Sequence, residues 1–268
     1  GPTSSQVGIA VGITRAGLPG GLMAWLGFTF PSAVALILFA YGVTTFDIAD
    51  AGWLHGLKVV AVAVVALAVW GMARNLCPDG PRATIAIVAT IVILATSGAM
   101  WQLSVIVAGG VVGALYLGGD QAHPIPEHMS SAGRVLAIAS IALFVLLLIG
   151  LPLLRQVVYY EPLEVFDSFF RVGSLVFGGG HVVLPLIQAE VASTGWVADD
   201  TLIAGYGAAQ AVPGPLFTFA AFLGATMDVV TPRWIGGLFS LVAIFLPSFF
   251  LIAAALPFWD RVRSIGRF

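Results

Sequence analysis

Charge is what this chain has least of: Asp, Glu, Lys and Arg make up 9% of its 268 residues, with a formal net charge of -2. A soluble domain of this length carries about 25% charged residues. With 59% hydrophobic residues and a mean hydropathy of +1.03, the surface needs a bilayer as its solvent. The near-neutral balance leaves no basic footprint for nucleic acid. One cysteine, Cys77, excludes an internal disulfide framework and any multi-cysteine metal site, and beside a Pro-Asp-Gly turn it reads as incidental. No Walker-type phosphate loop is present, which argues against ATP-driven work by this chain alone. There is no signal peptide and no initiator Met; the chain opens on Gly1-Pro2 and reads as a fragment truncated at both ends.

Long charge-free runs take the place of charge: Ala16–Phe46, Ala83–Gly119, Val135–Leu154, Thr201–Met227 and Trp234–Trp259. A helix needs roughly 20 apolar residues to cross the hydrocarbon core. Spans are expected at about 20–44, 56–75, 83–99, 102–118, 133–154 and 235–258, with a tight turn near Gly98–Gln102. Lys58 and Arg74 snorkel at the ends of the second span. The fold class is therefore all-α, a polytopic transmembrane helix bundle. Its polar connections are Asp47–His55, Cys77–Arg82, Asp120–Gly133, Arg155–Asp167 and Ser193–Asp200. His123, Glu127 and His128 share a loop with Pro124 and Pro126, which spoil any regular metal-ligand spacing, so no metal and no cofactor is expected.

Two apolar regions are interrupted. Residues 166–191 carry Gly178-Gly179-Gly180 and then Pro185, and residues 200–229 carry Pro213-Gly214-Pro215. Each reads as a broken or re-entrant helix, because unpaired backbone at membrane depth survives only where protein or a polar cavity covers it.

The two ends of the chain resemble each other. Gly20-Gly21-Leu22 and Phe30-Pro31-Ser32 recur 216 residues later as Gly236-Gly237-Leu238 and Leu246-Pro247-Ser248. Gly1-Pro2 recurs as Gly214-Pro215 at an offset of 213, so the connecting turns differ by three residues. This ordered set indicates an internal duplication: a first half over 1–120, a polar connection over 121–134 and a second half over 135–268. Arg15 precedes the first copy of the span, Asp47 and Asp50 follow it, and Arg261, Arg263 and Arg267 follow the second copy. The positive-inside rule then gives the two copies opposite orientations, the mark of many secondary transporters.

Phe177-Gly178-Gly179-Gly180-His181-Val182-Val183-Leu184-Pro185-Leu186, followed by Glu190 and Trp196, resembles the second-half signature of the chromate ion transporter family. The stretch from Gly205 to Phe219, through Gln210 and Val212-Pro213-Gly214-Pro215, resembles its companion motif, and Gly1–Ala10 the first-half version of that companion. The resemblance covers nearly the whole chain and matches the long, two-half form. Two parts of the pattern are missing: a Phe-Gly-Gly element before Gly1 and further membrane helix after the last span. The resemblance implies a multi-pass protein of the cell inner membrane that exports chromate, with sulfate as a related oxyanion, driven by an ion gradient and conferring chromate resistance. Its partners would be the oxyanion and the lipid bilayer, and a homo-oligomer is compatible with it.

Chromate is a tetrahedral dianion, and full positive charges are expensive at membrane depth. The terminus of a broken helix offers about half a positive charge and free N–H groups at lower cost. Gly1-Pro2 with Thr3, Ser4, Ser5 and Gln6 is one such terminus. Pro213-Gly214-Pro215 with Thr218 is its counterpart, and Gly178-Gly179-Gly180 with His181 is a third. The first copy is hydroxyl-rich; the second, with Leu216, Phe217 and Phe219, is more of a wall. Ser4 and Ser5 equally fit close helix packing beside Gly8 and Gly12. Gln210 fits either substrate contact or interhelical bonding, and His181 a donor, a proton relay or a packed neutral residue. Glu190 is a candidate for proton coupling or a plain interfacial carboxylate; Arg15 and Arg171 are candidates for anion steering or topology anchors. An intramembrane enzyme would need a nucleophile with its base, a metal set or paired carboxylates within the spans. No such cluster exists, so the expected activity is not enzymatic.

Overall fold

The computed structural model describes residues 2–46, 52–96, 99–116, 131–176, 183–191 and 194–256, and among them all regular structure is helical. The helices are α1 (Pro2–Phe46), α2 (Gly52–Leu76), α3 (Gly80–Ala95), α4 (Ala99–Tyr116), α5 (Ser131–Arg155), α6 (Glu161–Leu175), α7 (Val183–Val191), α8 (Asp199–Ala211), α9 (Phe219–Thr226) and α10 (Arg233–Ala255), with a 3-10 turn at Leu216–Thr218. Thr3–Thr45, Arg134–Arg155 and Arg233–Ala255 are each long and apolar enough to cross a membrane. Leu94 (81% exposed) and Leu146 (65%) illustrate the outer surface of α3 and α5, apolar side chains suited to lipid and not to water.

The six expected segments recur as helices with shifted bounds, three of them matching the helices long and apolar enough to cross a membrane among the described residues. The turn expected at Gly98–Gln102 falls earlier, since α3 ends at Ala95 and α4 already contains Trp101 and Gln102. Arg82 lies inside α3, because the Asp79 carboxylate caps that helix, accepting from the Arg82 N–H at 2.9 Å, and Pro81 fits the first turn. Asp167 is likewise not in a connection but buried within α6.

α1 holds the connecting turn that the change of offset implies before Gly20, and the structure places it at Ala16–Gly17. Ala16 (φ -144°, ψ 24°) and Gly17 (φ 66°, ψ -164°) interrupt the helix, and Pro19 follows. A glycine at positive φ with extended ψ, a region open essentially to glycine alone, followed by a proline, ends the helix. The short arm, 2–15, folds back on the long arm, 18–46: a Cβ on Gly12 would strike the Gly20 carbonyl, and one on Gly20 the Gly12 carbonyl. The same reciprocal contact joins Gly224 of α9 to Gly236 of α10. Gly21 lies against the Ile9 carbonyl as Gly237 lies against that of Ala221. These contacts match the two hairpins at offsets of 212 before the turn and 216 after it, so the turns differ by four residues, one more than the Gly-Pro motifs indicate.

The long arm of α1 and α10 run antiparallel. Trp25 meets Phe245 and Phe249 edge-on at 5.5 and 5.8 Å, whereas Ile37, further along α1, meets Gly237, further back along α10. α10 forms the centre of the bundle, with α9, α6, α5 and α1 packed around it.

Candidate functional site

The interrupted segments converge on the middles of these two long helices. Ser32, the middle residue of the long arm of α1, donates its hydroxyl to the Pro213 carbonyl at 2.6 Å. Gly214 (φ +157°) lies so close that a Cβ there would collide with Ser32 Oγ. Reciprocally, Gln6 Nε2 of the short arm donates to Ser248 Oγ of α10 at 3.3 Å. Ser32 and Ser248 are the two serines of the repeated Pro-Ser motif; Ser32 contacts the Pro213-Gly214 break itself, and Ser248 contacts Gln6 in the helix that follows Gly1-Pro2.

Depth follows from α10. Its middle residue, Ile244, presents its carbonyl to Gly173, where no Cβ would fit. α6 therefore ends near half-depth, just before the glycine triplet. Phe217, in the 3-10 turn, meets Phe245 at 5.2 Å and fixes the Pro213–Pro215 break at the same level. α8 and α9 double back on each other around that break, with Tyr206 edge-on to Phe219 at 5.9 Å and Gly205 against Phe222. At 1.5 Å per residue α8 is only about 20 Å long, too short to cross alone. The 200–229 region is thus a re-entrant hairpin.

Of the residues singled out from the sequence, Pro213 and Gly214 meet Ser32 of α1, Pro215 and Thr218 brace that break, and Gln6 meets Ser248 of α10. Ser5 is buried; Thr3 and Ser4 are exposed. Thr218 is buried and donates back to the Pro215 carbonyl at 2.7 Å, bracing the break. Gln210 donates to the buried Tyr206 hydroxyl at 2.9 Å, one turn back on its own helix. Gly178, Gly179, Gly180 and His181 lie outside the described residues. Arg15 is exposed beside the α1 reversal, away from the crossings.

Arg171 belongs to a charge network. The Asp167 carboxylate, 2% exposed, receives Arg155 at 2.8 Å and Arg171 at 2.5 Å. Glu190 of α7 lies 3.9 Å from Arg171. Arg155 and Arg171, with Pro152, Gln156, Tyr159 and Glu164, line an open cavity of about 300 Å³. Among the described residues no group of three or more His, Cys, Asp or Glu is arranged to hold a metal ion.

Sequence reasoning did not place Asp167, Arg155, Trp25, Thr29 or Ser32 at a site; Ser32 entered only through the repeated Pro-Ser motif. The last three had a legible signal: polar or N–H-bearing residues at i, i+4 and i+7 on one face of an otherwise apolar run.

A family model described as "Chromate transporter" matches residues 1–114 and 163–267. The "Chromate transport protein" of Pseudomonas aeruginosa is 28% identical over 270 residues, covering 99% of this chain and 61% of that protein. "Uncharacterized transporter MJ0718" of Methanocaldococcus jannaschii is 27% identical over 121 residues (44% of this chain, 29% of that protein). "Uncharacterized transporter YwrA" of Bacillus subtilis is 32% identical over 101 residues (37% of this chain, 54% of that protein). The chain thus spans about three-fifths of the length of the Pseudomonas relative. No solved structure matches it.

Proposed function

Because the chain belongs to the chromate transporter family, we propose that it is the greater part of a secondary transporter that exports chromate across the cell inner membrane, coupled to an ion gradient and conferring chromate resistance. The observation that carries this reading is the pair of reciprocal crossings, Ser32 to Pro213 and Gln6 to Ser248, halfway along two antiparallel spans. Inverted repeats with interrupted helices meeting at half-depth are the arrangement by which secondary transporters hold an ion between two faces of a membrane. The substrate sits where the short arm of α1 and the Pro213–Pro215 break meet the two long spans, beside Gln6 and Ser32. The halves 1–120 and 135–268 are the two repeats, joined through 121–134.

Arg155 and Arg171 draw the dianion in. Their cavity opens to one side, and Asp167 holds both guanidiniums in place without cancelling both charges. Glu190 beside Arg171 is the candidate to exchange a proton as the anion passes. The family's name points to chromate; a tetrahedral sulfate dianion asks for the same donors.

The test is accumulation of labelled chromate by inverted vesicles from cells expressing the full-length protein, with and without a proton gradient and with excess sulfate. Gradient-dependent accumulation above vector control is expected, reduced by sulfate. Accumulation in right-side-out vesicles alone would make the protein an uptake system, and equal counts with and without the protein would refute transport of this ion.

A further inference from the structure

Among the described residues, five buried side-chain polar atoms lack a hydrogen-bond partner, and three of them lie on α1: Ser5 Oγ, Trp25 Nε1 and Thr29 Oγ1. Their residues are 2%, 9% and 1% exposed. Trp25 and Thr29 stand one turn apart on one face of the long arm. The hairpin register places Ser5 beside them: Ile9 faces Gly21, and one turn further along each arm come Ser5 and Trp25. An N–H or O–H sealed from water without an acceptor is expensive, and an indole N–H can only donate. Packing helices together does not require three such groups side by side.

At the matching positions the second half lacks them; its own unpaired hydroxyl, Ser240 Oγ, lies against Gly224 in the α9–α10 hairpin and corresponds to Ala24. At the offset of 216, Trp25 corresponds to Leu241 and Thr29 to Phe245; one turn before Ala221, the counterpart of Ser5 is Phe217. Phe217 and Phe245 pack edge to face at 5.2 Å, and Trp25 touches Phe245 at 5.5 Å. The donors of one half therefore abut the aromatic wall of the other, at the level where both helix breaks lie.

We propose that Trp25 and Thr29, together with Ser5, are substrate-contacting donors for the tetrahedral oxyanion, and that the site is one-sided, with hydroxyl and indole donors from the first half and Phe217 and Phe245 from the second. This rests on the oxyanion reading above and names the residues that recognise the ion. Neutral donors suit the position: they bind a dianion without placing a countercharge at membrane depth, where release would then be slow.

The experiment is chromate transport by the full-length protein in proteoliposomes, with Trp25→Phe, Thr29→Val and Thr29→Ser. Trp25→Phe keeps a ring and loses the N–H; Thr29→Val keeps the shape and loses the hydroxyl. Each should raise KM for chromate about tenfold or more, with the maximal rate held within about threefold, and sulfate should lose potency as a competitor by a similar factor. Thr29→Ser, which restores the hydroxyl, should return KM to within about twofold of wild type. Unchanged KM in both loss variants, or lowered thermal stability with KM intact, overturns the proposal and assigns these groups to packing or to buried water. If Trp25→Phe does not fold, Thr29→Val against Thr29→Ser decides alone. Wild-type protein carrying neither chromate nor sulfate removes the oxyanion reading and this proposal together, whereas active wild type with insensitive variants removes only the proposal.

Discussion

Replacing Gly214 by Ala tests whether the break is locked against α1. A Cβ at this position collides with Ser32 Oγ and stands 2.8 Å from Ser32 Cβ. The Ser32 hydroxyl must leave the Pro213 carbonyl, losing a 2.6 Å bond. Pro213 and Gly214 are exposed, so the lost bond costs about 1–2 kcal/mol, the lower part of the usual range. Overpacking and the unfavourable backbone angle add about 1–2 kcal/mol. The sum, about 2–4 kcal/mol, lowers the melting temperature in detergent by roughly 5–15 °C for a chain of this size. Ser32→Gly costs about 2–3 kcal/mol, from the same bond plus a glycine within a helix. The double variant Gly214→Ala/Ser32→Gly loses that bond only once and has no collision. It should therefore be less destabilised than the sum of the singles by about 1–3 kcal/mol. Single-variant effects that add to within about 0.5 kcal/mol would refute the contact, and with it the argument for where the break sits.

Three further outcomes follow from the packing. Asp167→Asn leaves two guanidiniums sharing no carboxylate; because both are partly exposed, a loss of about 2–4 kcal/mol is expected, read as a lower melting temperature, and a shift under about 2 °C would refute a structural role for the network. Gly173→Ala forces α6 off the Ile244 carbonyl and should cost about 1–3 kcal/mol, whereas Gly27→Ala, with nothing within 4 Å, should be neutral or slightly stabilising in the same thermal assay. In a Cys77→Ser background, Gln6→Cys with Ser248→Cys should cross-link through a short bifunctional reagent. Gln6→Cys with Gly237→Cys should not, because Gly237 lies roughly 16 Å further back along α10.

Much of this architecture was legible because each feature breaks a rule locally. Spans show as missing charge, and Pro213-Gly214-Pro215 shows as residues that a continuous helix would not contain. The reversal at Ala16–Gly17 was written in Gly17-Leu18-Pro19 but was masked by the apolar run on both sides, where hydropathy sees only one long segment. The half-depth position of the breaks was not legible, since it depends on Gly173 and Phe217 meeting Ile244 and Phe245 across the bundle. Nor was the burial of Asp167: in sequence it is one of several carboxylates between Arg155 and Arg171, and only the helical register aims it at both. The donor set was hidden for a related reason. Trp25 and Thr29 are ordinary residues of a membrane helix until the hairpin and α10 close over them and leave their polar atoms unpaired.

The distribution of arginines explains why interrupted backbone and neutral donors fall to the centre. Arg15 stands at the reversal, and Ser32 lies roughly 21 Å up the long arm, so the Arg15 charge is confined to one end of that span. Arg171 comes closest to half-depth, one short step before Gly173, but its guanidinium is turned back to Asp167 alongside Arg155. A free guanidinium at the crossing would have to be desolvated on every cycle and would hold a dianion too firmly to release it. With the cations committed to a carboxylate at the cavity, the proposed attraction and recognition occupy different places: the arginines would raise the anion's concentration at the opening, and the neutral donors beside the break would make the close contacts. Reversing that division, by neutralising Asp167 or by placing an arginine at Thr29, would favour capture over turnover.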